Sequence, residues 1–198
     1  RARLQRASVP SSAYKLTTID GFARALVRTF PLRSGISREV SNIENPKKDY
    51  VEIRIAAGLL LATGNINEIL AASYSRMIVD EYQDCSLSQH AIGDHAAEVL
   101  PTCVLGDPMQ AIFGFGGNQL VDWDLDVLPQ FPSVGLLQTP WRWRNANTEF
   151  LGHWLLACRD TLLRDGTIDL RRAPSEVAWV RLNPASAHFE RSRAARTA

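Results

Sequence analysis

The sequence predicts an α/β fold, a parallel sheet flanked by helices. Two short apolar runs, Met77-Ile78-Val79 and Thr102 to Leu105, each end abruptly in acidic or carboxamide residues. Strands of an open α/β sheet end this way when they deliver side chains to the ligand-binding edge. Between them lies a helix-length stretch, about Leu87 to Leu100, so strand, helix and strand have the length of a βαβ crossover. Upstream, Phe22, Leu26 and Phe30 recur at i, i+4 and i+8, the signature of one buried helix face.

In chain order, Thr17 or Asp20 is placed to cap the helix that carries Phe22. Residues 31–49 are polar and contain prolines, which reads as a linker or small insertion. A second helix is expected over Tyr50 to Leu61, stopping near Gly64, and a short third over Ile66 to Ala72. The strand ending at Asp80, the helix from Leu87 and the strand after Pro101 follow. A third strand is expected at Val134 to Leu137, then a long helix from Asn145 to Leu163. Phe150, Trp154, Leu155 and Leu162 line one side of that helix, and Gly166 is its expected stop. Val177 to Leu182 reads as one more strand, and residues 183–198, rich in Ala, Arg and Ser, as a disordered tail.

With 198 residues there is room for one domain and part of a second, and for a proper core. Net charge is only +1, so contact with nucleic acid would rest on local patches and not on a global positive field. Three cysteines, Cys85, Cys103 and Cys158, fit neither a zinc pattern nor a disulfide framework, which favours a reducing cytoplasm. No apolar run approaches the roughly 20 residues of a membrane span. The chain opens on Arg1 and reads as part of something longer.

Three clusters carry chemistry. Asp80-Glu81 after a strand is by itself an ordinary acidic turn, yet such an Asp can hold magnesium while the neighbouring Glu accepts a proton from water. Gln83 adds a neutral group able to meet a γ-phosphate. Gly106-Asp107-Pro108 could be a simple turn. Gln110 and then Phe113 and Phe115 among glycines make it unusual. The two phenylalanines suit either burial or the stacking of bases, with burial favoured about two to one on their own. Trp141-Arg142-Trp143-Arg144 is either a helix entrance with its tryptophans in the core, or an aromatic that stacks on a base beside an arginine that reaches phosphate.

Order and spacing together resemble the superfamily 1 helicases of the UvrD/Rep type. Asp80-Glu81-Tyr82-Gln83-Asp84 is similar to that family's motif II, the Walker B box, and Gly106 to Phe113 to its motif III. Leu137 to Arg142 resembles motif IV, and Thr18-Ile19-Asp20-Gly21-Phe22 the DNA-contacting motif after motif Ia. The resemblance implies a RecA-like P-loop NTPase core, incomplete at both ends. Residues 1–135 would be most of the first RecA-like domain, with a short insertion at about 31–65, and 136–182 the start of the second. It implies ATP and Mg2+ as cofactors, single-stranded or partly duplex DNA as partner, and the rest of a parent helicase chain as the completing piece. Asp80 would hold magnesium and Glu81 would be the general base. Gln83, Gln110, Trp141 and Arg142 would meet the nucleotide. Gln110 would also couple the γ-phosphate to DNA, Arg142 would stabilise the transferring phosphoryl group, and Trp141 would stack on adenine. Thr18, Phe113 and Phe115 would face DNA.

Departures from the family pattern are specific. Gly116 stands where an arginine is usual, and Asp20-Gly21 replaces a His-Ser pair. No Gly-x-x-x-x-Gly-Lys-Ser/Thr occurs in the sequence, so it supplies no phosphate-cradling loop of that type, and motifs V and VI are absent. The expectation is a helicase fragment that does not hydrolyse ATP alone. Lacking a central strand, it should be marginal or self-associating. The alternatives are the helicase portion of a nuclease-helicase, and a non-catalytic DNA-binding remnant.

Overall fold

A computed structural model describes residues 8–36, 46–112 and 119–178. The chain divides into two compact units, Arg1–Ser133 and Val134–Ala198.

In the first unit, helix α1 (Ile19–Thr29) begins where the Thr18 hydroxyl oxygen accepts from the Gly21 N–H at 3.0 Å. The cap is therefore Thr18. Thr17 turns its hydroxyl to the Thr18 carbonyl, and Asp20 lies inside the first turn. A single turn, α2 (Pro31–Ser34), ends at Gly35 in the left-handed region. Helix α3 (Pro46–Ala62) ends before Gly64, whose φ of 69° suits glycine, and α4 (Asn67–Ser73) follows. Strand β1 (Met77–Val79), helix α5 (Leu87–Ala97) and strand β2 (Thr102–Val104) then form the expected βαβ unit. The strands pair in parallel, Met77 opposite Thr102 and Val79 opposite Val104. Helix α5 opens with a capping box, in which Ser86 and Gln89 satisfy each other's backbone N–H groups, and a single turn, α6 (Leu128–Gln130), follows β2 later in the unit.

Helix α3 is the keel of this unit. Its Ile53, Ala56, Ala57, Leu60 and Leu61 are buried against Ala23, Leu26 and Val27 of α1 and Ile92 and Ala96 of α5. Each large side chain removed from water here contributes about 1.5–3 kcal/mol. The segment expected to hold a short insertion thus supplies, through α3, the centre of the core. One ion pair crosses the same helices: Arg54 of α3 grips both oxygens of Asp20 on α1 at 2.5 and 2.8 Å, and Gln89 of α5 donates to Asp20 at 3.3 Å. No single helix among the described residues is long and apolar enough to cross a membrane.

The second unit departs from expectation. Val134 to Leu137 is not a strand: no partner strand pairs with it among the described residues, and Val134 and Leu137 are 97% and 91% exposed. The expected helix from Asn145 to Leu163 forms as α8 (Glu149–Leu163), starting four residues later, and a short helix, α7 (Trp141–Asn145), precedes it, with Asn147 between them at a φ of 57°. Gly152 of α8 lets the helices meet, since a Cβ there would lie 2.7 Å from that of Pro140. The end of α8 is a Schellman arrangement, with Asp165 at φ 54° and Gly166 N–H bonded to the Thr161 carbonyl at 2.9 Å. Phe150 and Leu162 on α8 are exposed. Val177 and Ala178 form no strand, and residues 179–182 of that expected strand lie outside the described residues.

Candidate active site

Both strands of the sheet run out at one edge. Beyond β1 come Asp80 and Glu81, and beyond β2 come Leu105, Gly106 and Asp107. Two backbone bonds hold these ends together past the sheet, Leu105 N–H to the Val79 carbonyl at 2.8 Å and Tyr82 N–H to the Leu105 carbonyl at 3.0 Å. Glu81 sits at φ 55° and ψ 41°, a left-handed conformation that costs a non-glycine residue about 1–2 kcal/mol. Such strain persists only where neighbours over-determine it.

Those neighbours are the next two side chains. Tyr82 is fully buried; its ring packs edge-on against Phe131 and His90, and its hydroxyl lies 2.8 Å from His90 Nδ1. Gln83 is 2% exposed. Its Nε2 donates to Glu81 Oε2 at 2.8 Å and reaches Asp84 Oδ2 at 3.5 Å, and its Oε1 accepts from the Asp107 N–H at 3.0 Å. Asp107 in turn accepts from Met109 N–H at 3.1 Å and, at 2.7 Å, from the carboxamide of Gln110. Glu81, Gln83, Asp107 and Gln110 form one hydrogen-bonded line across the two strand ends. The sequence reading set Gln83 toward a γ-phosphate; its buried carboxamide instead faces Glu81, Asp84 and the Asp107 backbone.

Gly106 makes this contact possible. A Cβ at that position would fall 2.7 Å from the Trp123 ring and 2.9 Å from Gln83 Oε1. Gly106→Ala is therefore expected to destabilise by about 1–3 kcal/mol, the usual cost of overpacking. Denaturant unfolding measures it, and an unchanged midpoint would refute the close packing.

Behind the site, Tyr82, Cys85, Val121 and Val127 form a small buried cluster. Burial pushes the Cys85 thiol from its ordinary 9.0 up to about 12, with nearby Asp84 and Asp20 adding to the rise, and burial likewise raises the Tyr82 phenol. The folded protein holds these protons after the unfolded chain has lost them. The contribution of these two groups to stability is thus constant below pH 9 and falls as pH climbs from 9 toward 12, by about 1 kcal/mol per pH unit for Cys85. Urea unfolding at pH 8, 10 and 11 should show the decline, with a shallower slope in Cys85→Ala.

Thr18 stands at the start of α1 with its oxygen engaged as the helix cap. Phe113, Phe115 and Gly116 lie outside the described residues. Trp141 and Arg142 belong to α7 in the second unit. The Arg142 guanidinium lies 5.6 Å from the Trp143 ring centre, and that of Arg144 lies 5.2 Å from Trp141 while pairing with Glu149 at 3.8 Å. Trp141 is 60% exposed, so of the two readings of this cluster the one with its tryptophans in the core fails for Trp141, while Trp143 is half-buried. Sequence reasoning missed the roles of His90, Trp123 and Arg54. Gly106 before Asp107 was the available signal for the Trp123 contact.

Among the described residues, no three His, Cys, Asp or Glu side chains converge as a metal cage. Magnesium does not require one, since it keeps several waters and takes one or two carboxylates together with phosphate oxygens. Asp80 fits that demand: it is exposed at the end of β1, and its Oδ1 is steadied by the Glu81 N–H at 3.1 Å.

Residues 36–121 match the family model of the UvrD/REP helicase N-terminal domain, a span that contains β1, β2, Asp80 to Asp84 and Asp107 to Gln110. No curated protein and no solved structure matches the chain.

Proposed function

Proceeding from residues 36–121 as a segment of a UvrD/Rep-type helicase, we propose that the chain is part of an ATP-dependent DNA translocase of 3′–5′ polarity. It would couple ATP hydrolysis to movement along single-stranded DNA. One observation carries the reading: the hydrogen-bonded line that joins Glu81 on one strand end to Gln110 on the other.

Asp80 would hold a magnesium ion, which when bound neutralises phosphate oxygens. Glu81 would accept a proton from an attacking water; its exposure and its bond from Gln83 support that role. Gln110, also exposed, is the group that would turn toward the γ-phosphate and relay DNA occupancy. Trp141, which is 60% exposed, would stack on adenine, and Arg142 would stabilise the transferring phosphoryl group. Thr18, Phe113 and Phe115 would contact the DNA strand. The sequence has no Gly-x-x-x-x-Gly-Lys-Ser/Thr loop, so hydrolysis is assigned to a longer parent protein in the cytoplasm and not to these 198 residues alone. That absence, with Gly116 in place of arginine, also favours a second reading, a DNA-binding remnant without turnover.

ATP hydrolysis stimulated by single-stranded DNA tests the proposal. Turnover by the longer protein and none by the isolated chain support it. Turnover by the isolated chain, or none by a longer protein that carries a P-loop, sinks it.

A further inference from the structure

Gln83 is one of only two buried polar side chains among the described residues, and it lies at the junction of the two strand ends. Its orientation is fixed by chemistry. Turning the carboxamide over would set Nε2 against the Asp107 N–H, donor to donor, and Oε1 against the Glu81 carboxylate, acceptor to acceptor. Space fixes it as well, because the Gly106 backbone approaches so closely that a single added methyl carbon would lie 2.9 Å from Gln83 Oε1. A buried side chain with one permitted orientation links its two ends rigidly.

We propose that Gln83 is a positioning residue that passes the state of Gln110 to Glu81. The proposal rests on the reading of this edge as an ATP-hydrolysis site. While Gln110 donates to Asp107 at 2.7 Å, the Asp107 backbone is held where its N–H meets Gln83 Oε1, and Gln83 Nε2 holds Glu81 Oε2. When Gln110 turns to a terminal phosphate oxygen, Asp107 loses that restraint, and the bond from Gln83 to Glu81 is the next to respond. The general base is thereby retuned from the second strand without a direct contact between Gln110 and Glu81. Glu81 is a fitting receiver, because a left-handed residue held by its neighbours changes conformation once the hold slackens.

The experiment is backbone and side-chain amide NMR on the whole 198-residue chain. Gln110→Ala should shift the Asp107 and Glu81 amides and the Gln83 carboxamide. In a Gln83→Leu background the same change should still shift Asp107 and leave Glu81 unmoved. Gln83→Leu alone should speed exchange of the Asp107 amide about five- to tenfold, as expected for one lost hydrogen bond. Should Gln83→Leu not fold, Gln83→Met serves: it is close to glutamine in length and lacks both the acceptor for Asp107 N–H and the donor to Glu81. A Glu81 signal that ignores Gln110→Ala in the otherwise unaltered chain overturns the proposal. So does one that moves equally in both backgrounds. Because no nucleotide is needed, failure here leaves the ATP reading standing, and failure of ATP turnover leaves this coupling standing.

Discussion

Arg54→Ala is expected to destabilise the protein by about 3 kcal/mol, at the lower end of the cost of breaking a buried ion pair. Arg54 and Asp20 meet fork to fork at 2.5 and 2.8 Å, with side chains only 13% and 22% exposed. The bond to Asp20 raises the Arg54 pKa above its ordinary value, against the opposing effect of burial. Removing the guanidinium leaves the Asp20 carboxylate half-buried with only the 3.3 Å bond from Gln89. The two helices that carry the pair, α1 and α3, also build the main core, so no independent part of the unit escapes the loss. A shift of about 2–4 °C in Tm per kcal/mol makes the effect plain in a thermal scan. The control is Arg54→Met with Asp20→Leu, which removes both charges and should recover most of the stability. Equal destabilisation in the single and double variants would show that the pair contributes packing only.

On the proposed function, Glu81→Gln is expected to lower DNA-stimulated ATP turnover of a longer protein that carries this chain by about a hundred- to ten-thousand-fold, the usual contribution of a general base. Nucleotide binding should be nearly unchanged. The substitution is close in shape, so the left-handed backbone and the contact with Gln83 Nε2 can be kept through the remaining amide oxygen. What disappears is the ability to accept a proton. The kinetic signature is a fall in kcat with little change in KM. Equal losses in kcat/KM through KM alone would assign Glu81 to binding and leave the base to be found elsewhere.

Much of the first unit was legible because its signals are local. The apolar runs ending at Asp80 and Leu105 announce strands, and Gly64 announces a stop. Features that depend on partners distant in sequence were not legible. Val134 to Leu137 has a strand's composition, but composition does not supply a neighbouring strand to bond with. The short helix α7 ahead of α8 was hidden because Trp141 to Asn145 is too short to show a helical apolar period. At the site, residue types near Asp80 and Gln110 were readable, but the direction of Gln83 was not. That direction follows from the left-handed turn at Glu81, which a non-glycine sequence does not advertise. Asp20 appeared only as a departure from a motif, since its partner Arg54 lies 34 residues away.

The Asp20 clamp bears on the proposed DNA contact at Thr18. A carboxylate two positions beyond the helix cap would ordinarily repel an approaching phosphodiester strand. Here Arg54 already serves as its counterion, so the anion is screened from within the protein before any nucleic acid arrives. The same pair that braces the core thus also neutralises the carboxylate that lies beside the proposed Thr18 contact.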